Sequence, residues 1–246
     1  MKTRLQERYK FTTVNRALVA VRGVLRAAFN LDLMTGDDLM KATAVKAARG
    51  VCVPKGRSIS QEELRRLFDA CDVMTPVGAR DAALLALLYV GGLRRHEAAS
   101  LDLASFDPAY DALLVVGKGN KERVVYLANG ARRALMHWLS CRGSIHGPLF
   151  VPVRKGGATQ LRRLTDQSVF DIVAKLAHRA GIPKIMPHDF RRTMIGDLLE
   201  NQIDLVTVAR AVGHQNTNTS ASYCRRGELT RRRAFETLHV PFVGPA

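Results

Sequence analysis

Six polar side chains carry the chemical interest of this 246-residue chain. Arg94 follows Gly-Gly-Leu at an expected helix end, and Lys118 sits at the tip of an expected hairpin. His188 and Arg191 are spaced i, i+3, on one face of an expected helix. His214 follows a glycine at a helix C-terminus, and Tyr223 lies nine residues later in the polar stretch QNTNTSASY. Each alone reads as ordinary: a solvated cap, an exposed turn lysine, a structural histidine. Together they read differently. Two arginines, a lysine and two histidines would place up to five donors around one anionic group, and the tyrosine could supply a nucleophile. Phosphoryl transfer needs little more than positioning, neutralisation of the equatorial oxygens and an acid for the leaving group. No carboxylate cluster suited to Mg²⁺ accompanies these residues, so the cations must come from side chains. The run GKGNK lacks the interval and the following Ser/Thr of a P-loop.

The elements that must position these groups are mostly helical. Val14, Leu18, Val21, Leu25 and Ala28 recur at helical spacing and predict an amphipathic helix over 13–30. A second helix is predicted over 37–47, with Asp37 and Asp38 in its first turn. The segment ARGVCVPKGRS reads as a linker, after which Ser60 and Glu63 form a capping box. Residues 78–90 are almost wholly apolar, which predicts a helix buried all round that stops at Gly91-Gly92. The runs 112–117 and 123–127 are β-branched and separated by Lys118 to Glu122, a hairpin with a charged tip. Further helices are expected at 129–140, 165–180, 187–201, 204–211 and 227–238, with a short strand at 148–152. The fold class is therefore mainly α with a small β-sheet.

Charge identifies the kind of partner. The chain holds 38 Lys+Arg against 22 Asp+Glu, a formal net charge of +16, which favours a phosphate backbone and salt-dependent binding. Arginine dominates the surplus and suits bidentate phosphate contacts. At 47% apolar residues there is enough for a real core. No apolar run reaches the roughly 18 residues of a membrane span, and MKTRLQERYK lacks an apolar signal core. Cys52, Cys71, Cys141 and Cys224 lie far apart with no CxxC spacing, which argues against a zinc ribbon or disulfide framework and fits a reduced cytoplasm.

Four segments resemble one known family. GGLRRHEAASLDLASFD looks like the first arginine box of the tyrosine recombinases, the phage-integrase and Xer group. VVGKGNKERVVYL resembles their β-hairpin lysine motif, PHDFRRT their His-x-x-Arg box, and VGHQNTNTSASY their Gly-His segment with the nucleophilic tyrosine. The four occur in the family's order, across roughly residues 58–240.

The resemblance implies roles residue by residue. Tyr223 attacks the scissile phosphorus and forms a 3′-phosphotyrosine link. Arg94 and Arg191 bind the non-bridging oxygens. Lys118 protonates the leaving 5′-oxygen, His188 accepts or relays the tyrosine proton, and His214 donates to a phosphate oxygen. Glu97, one helical turn after Arg94, holds its guanidinium. Arg95, Lys121, Arg123 and Arg192, with His96 beside them, are expected on the DNA backbone and outside the chemistry. The phosphotyrosine ester conserves the energy of the broken diester, so no cofactor or metal is implied. The implied partner is double-stranded DNA with a specific recombination site, held by four protomers that pass through a Holliday junction. In the family a C-terminal segment packs on a neighbouring protomer. Here GELTRRRAFETL and the apolar HVPFV are expected to do so, giving a homo-tetramer on DNA.

The resemblance also divides the chain. Residues 58–246 are the expected catalytic domain and 50–57 the linker. Residues 1–49 form a partial helical core-binding segment, since TTVNRALVAVRGVLRAAFN resembles only the last part of the family's four-helix clamp. The expected function is a site-specific recombinase or integrase of the bacterial cytoplasm, nucleoid-associated when bound. Type IB topoisomerase-like cleavage and a DNA-binding regulator that uses the recombinase fold are the alternatives. The full Arg-Lys-His-Arg-His-Tyr set argues against a decayed relic, and only charge supports a basic structural or RNA-binding protein.

Overall fold

A computed structural model describes residues 2–50, 56–117 and 119–213. The chain divides into two compact units, Met1–Lys55 and Gly56–Ala246. Among the described residues no helix is long and apolar enough to cross a membrane.

The first unit contains helices α1 (Lys2–Arg8), α2 (Phe11–Asn30) and α3 (Gly36–Thr43). Val14 and Leu18, from the apolar stripe of α2, are buried with Ala48, and Leu5 and Phe11 pack against them. The helix α1 was not anticipated. The second predicted helix, by contrast, stops early. Thr35 caps its start by accepting from the Asp38 amide, but the chain leaves the helix at Ala44. Asn15 supplies a reason: its side chain donates to the Ala48 carbonyl at 2.9 Å and accepts from the Ala48 amide at 2.7 Å, satisfying outside the helix the groups a helix would have paired internally.

The second unit is built around α5 (Pro76–Val90). Thr75 accepts from the Gly78 amide and Pro76 opens the first turn, so the helix starts where its orphan donors are met. Residues Gly78 to Leu88 are buried throughout, and α5 packs on α7 (Asn129–Arg142) and α9 (Pro187–Glu200). Around it lie α4 (Gln61–Asp69), with the Ser60–Glu63 capping box in place, α6 (Arg95–Ser100), α8 (Asp166–Arg179) and α10 (Leu205–Val212). Trp138 of α7 is fully buried and donates through Nε1 to the Leu149 carbonyl at 2.9 Å.

The sheet has three antiparallel strands in the order β1 (Phe106–Asp107), β2 (Ala112–Val116), β3 (Glu122–Tyr126). The predicted hairpin pairs Val116 with Glu122 and Ala112 with Tyr126, and Gly119 and Asn120 take positive φ in the turn. The short strand expected at 148–152 does not form. Leu149, Phe150 and Val151 are fully buried, but the backbone pairing of their segment is scattered: an isolated bridge between Asp102 and Pro148, and single bonds from the Leu149 amide to the Leu101 carbonyl and from the Leu164 amide to the Phe150 carbonyl. Burial, not ladder pairing, explains that apolar run.

Candidate active site

The C-terminal end of α5 supplies the first corner. Gly91 ends the helix and Gly92 turns the chain at φ +53°, a left-handed conformation that L side chains resist. Two residues later Arg94 occupies the N-cap of α6. Its backbone amide donates to Glu97 Oε2 at 2.9 Å and its Nη1 to Glu97 Oε1 at 2.7 Å. Glu97 therefore sits where its helical spacing from Arg94 implies, with its side chain fully buried. A second guanidinium reaches the same carboxylate: Arg123 Nη2 donates to Glu97 Oε2 at 2.7 Å. Burial by itself raises the Glu97 pKa, but hydrogen bonds and charge from Arg123, with the Arg94 amide and side chain, outweigh it and hold the carboxyl at about 2.

Helix α9 supplies the second corner. Its start is fixed by buried Asp189, which accepts from the Met186 amide at 2.8 Å and the Arg57 amide at 3.2 Å. The Thr193 hydroxyl donates to the Asp189 carbonyl and accepts from the Ile59 amide. So anchored, the helix turns Arg191 inward. Arg191 is 1% exposed; its Nη1 donates to the Gly92 carbonyl at 2.7 Å and its Nη2 to the Val212 carbonyl at 2.6 Å. One guanidinium thus ties the end of α5 to the end of α10. His188, on the same helix, is exposed toward the cleft. Burial first, then the Arg191 charge, push its imidazole below the usual histidine range, with Arg192 and Arg94 adding to the effect and Asp189 opposing it. At neutral pH the ring is a neutral base.

These corners face a cleft of about 320 Å³ lined by Arg94, Arg95, His96 and His188 on its polar side and by Phe170, Met186 and Pro187 on the other. The expected residues divide into three groups. Arg94, Glu97, His188 and Arg191 are brought together. Lys118, His214 and Tyr223 lie outside the described residues, yet the residues beside two of them abut the same network. A Cβ at Gly117 would stand 3.4 Å from Glu97 Oε1, and one at Gly213 would stand 3.5 Å from Arg123 Cδ. The third group was expected on DNA. Arg95 is half exposed, with only a 3.8 Å approach to Asp166, and Lys121 is exposed. Arg192 is partly buried. Arg123 departs from the expectation: its side chain is only 8% exposed, and it is turned onto Glu97 instead of outward.

Sequence reasoning missed Asp189 and the inward turn of Arg123. Both left a signal. Asp189 is three residues beyond the helix-capping Met186, the place for a carboxylate that returns to the first amide. Arg123 is two residues from buried Val125 on β3, hence on its inner face. Among the described residues no group of three or more His, Cys, Asp or Glu could hold a metal ion.

A buried arginine, a half-open one and a histidine thus lie beside a cationic hairpin. The chain belongs to the phage integrase family, which it matches over residues 57–228, and so to the tyrosine recombinases. It is 34% identical over 187 residues to the tyrosine recombinase XerC of Bacillus pumilus, a match that covers 73% of this chain and 60% of that protein. It is 28% identical over 240 residues to the XerD of Listeria monocytogenes serotype 4b, covering 95% of this chain and 78% of the relative. The crystal structure of the XerH recombinase bound to its difH substrate superimposes with a TM-score of 0.68 at 20% identity, covering 96% of this chain and 68% of that one. At that identity the likeness is one of fold.

Proposed function

We propose that the protein cuts and rejoins DNA strands at a specific site through a 3′-phosphotyrosine intermediate. The observation that carries this reading is that Arg94 and His188 line one cleft while Arg191, close enough to act on His188 by its charge, is held behind them by the Gly92 and Val212 carbonyls. In the reaction the Tyr223 oxygen attacks the scissile phosphorus, the bond from phosphorus to the 5′-oxygen breaks, and Lys118 gives that oxygen its proton. Arg94, Arg191 and His214 bear on the non-bridging oxygens as charge builds on them. Neutral His188 takes the tyrosine proton, directly or by relay. Attack by a 5′-hydroxyl of a partner strand reverses the chemistry and exchanges the strands. The reading extends to four protomers on paired sites in the bacterial cytoplasm, coupled by the segment 227–246, with residues 1–49 as a partial DNA clamp and 58–246 as the catalytic domain.

Tyr89 offers no alternative nucleophile. Its hydroxyl donates to Asp197 Oδ2 at 2.6 Å, and burial together with that bond pushes it up to about 12. The test lets the protein select its own target. The protein is incubated with a pool of nicked duplexes of randomised sequence, and the duplexes it captures covalently are recovered and sequenced. Wild-type protein is expected to yield an adduct at a defined position. Tyr223→Phe is expected to yield none while still binding the recovered duplex. An adduct that persists in Tyr223→Phe overturns the assignment.

A further inference from the structure

We propose that Arg123 is a positioning residue that holds Arg94, through Glu97, in its working orientation and leaves the cluster net positive toward a bound phosphate. The inference rests on the reading of the site given above. Arg123 lies on β3 opposite fully buried Val115, on the inner face of the hairpin. Its side chain is buried there, which is costly for a charge without a close partner. Its partner is Glu97, and the geometry commits both oxygens of that carboxylate. Oε2 accepts from Arg123 Nη2 and from the Arg94 amide, while Oε1 accepts from Arg94 Nη1. Nε of Arg123 has no hydrogen-bond partner among the described residues, so Glu97 is the tether that fixes its guanidinium.

The shared carboxylate has two consequences. A Glu97 held only by Arg94 would have both its partners on one residue, whose side chain is one-third exposed. Held also from β3, the carboxylate becomes a fixed rest for Arg94 at both its amide and its guanidinium. The charge count changes as well. One carboxylate against one guanidinium is neutral, whereas one against two leaves a net positive charge for the oxygens of a transition state. Arg123 therefore acts on the chemistry without touching DNA.

The experiment uses the full chain and a duplex recovered by covalent capture, with either an ordinary 5′-oxygen or a bridging 5′-sulfur at the mapped cleavage position. The sulfur leaves without a general acid, so it separates defects at Lys118 from defects in phosphate stabilisation. Arg123→Met should form adduct about a hundredfold more slowly, in the range of a lost oxyanion contact, with duplex binding unchanged. Arg123→Lys should recover part of the rate. The sulfur substrate should rescue Lys118→Ala and leave Arg123→Met slow. In a Glu97→Gln background the Arg123→Met change should add little. Rescue of Arg123→Met by sulfur would mean that Arg123 acts through the hairpin lysine, and weaker binding with an unchanged rate in the bound complex would make it a DNA contact. Either result, or a wild-type rate in Arg123→Met, overturns the proposal. A wild-type protein that forms no adduct at all would instead refute the recombinase reading on which it rests.

Discussion

Arg94 and Arg191, to which the proposed mechanism gives one task, are held in opposite ways. Arg191 is buried and rests on two backbone carbonyls, those of Gly92 and Val212, which fix it without adding a formal negative charge. Arg94 is partly open to the cleft and rests on a carboxylate it shares with Arg123. Backbone acceptors belong to the ends of α5 and α10 and cannot rotate away, so the Arg191 corner is as rigid as the helices that form it. The Arg94 corner depends on three side chains, any of which can be replaced and one of which, Glu97, titrates. One arginine is thus positioned by the fold and the other by a network.

The largest way to break this contrast is at Arg191. Lysine keeps the charge but is a single point donor, and it cannot bridge two carbonyls as a planar guanidinium does. Arg191→Lys is expected to slow adduct formation about 10²- to 10³-fold, the cost of one misplaced oxyanion donor. It should also lower stability by about 1–3 kcal/mol, because a buried carbonyl loses its donor. Arg94→Lys should lose less stability, since Glu97 still has Arg123. Single-turnover capture and urea unfolding of the two lysine variants, side by side, give both numbers. Equal losses of stability would erase the distinction.

The difference between the corners also decides what could be read in the sequence. The apolar helix of α5, its stop at Gly91-Gly92, the capping box of Ser60 with Glu63 and the hairpin around Gly119-Asn120 all follow from local rules, and the structure has each of them. Glu97 was legible because i, i+3 spacing puts it beside Arg94. The backbone acceptors of Arg191 were not, since a carbonyl leaves no mark in a sequence and Gly92 lies 99 positions from its donor. The short helix α6 and the two-residue β1 were missed because elements of that length carry no periodicity. The inward turn of Arg123 was missed for another reason: it was read as one cation in a basic motif, although the period-two pattern of β3 already paired it with Val125.

A smaller break tests the backbone side of the contrast directly. Gly92 sits at φ +53°, and a Cβ there would stand 3.0 Å from Met194 Sδ and 3.4 Å from Val212 Cγ1. Gly92→Ala should therefore cost about 1–2 kcal/mol from the left-handed backbone. It should also slow adduct formation about tenfold by shifting the carbonyl on which Arg191 rests. The matching change at the other corner is Gly117→Ala. It meets Glu97 Oε1 and the Lys121 carbonyl at 3.4 Å, and its φ is not in the left-handed region. It should be milder in both readouts. Thermal unfolding and single-turnover capture of the pair measure this, and a larger effect at Gly117 would show that the side-chain network is the more demanding of the two.

The subtlest difference appears only in acid. Glu97 has a folded pKa of about 2 against an ordinary value of 4.5, so its contribution to stability is fully present above about pH 4.5. It is lost as pH falls toward 2, because the unfolded chain takes up the proton first. Nothing that holds Arg191 to Gly92 and Val212 titrates in that window. Urea unfolding of wild type, Glu97→Gln and Arg191→Lys between pH 7 and pH 3 should separate the two corners. The stability gap between wild type and Glu97→Gln should be constant down to about pH 4.5 and shrink below it, as wild type begins to lose its own carboxylate. The gap between wild type and Arg191→Lys should not change across that acid window. Burial and the Arg191 charge lower the His188 pKa, and Arg191→Lys keeps a positive charge beside it, so both proteins of that pair carry the same histidine effect. A Glu97→Gln gap as wide at pH 3 as at pH 7 would mean that the carboxylate does not anchor Arg94 as an anion, and the contrast between a corner set by backbone and one set by charge would fall.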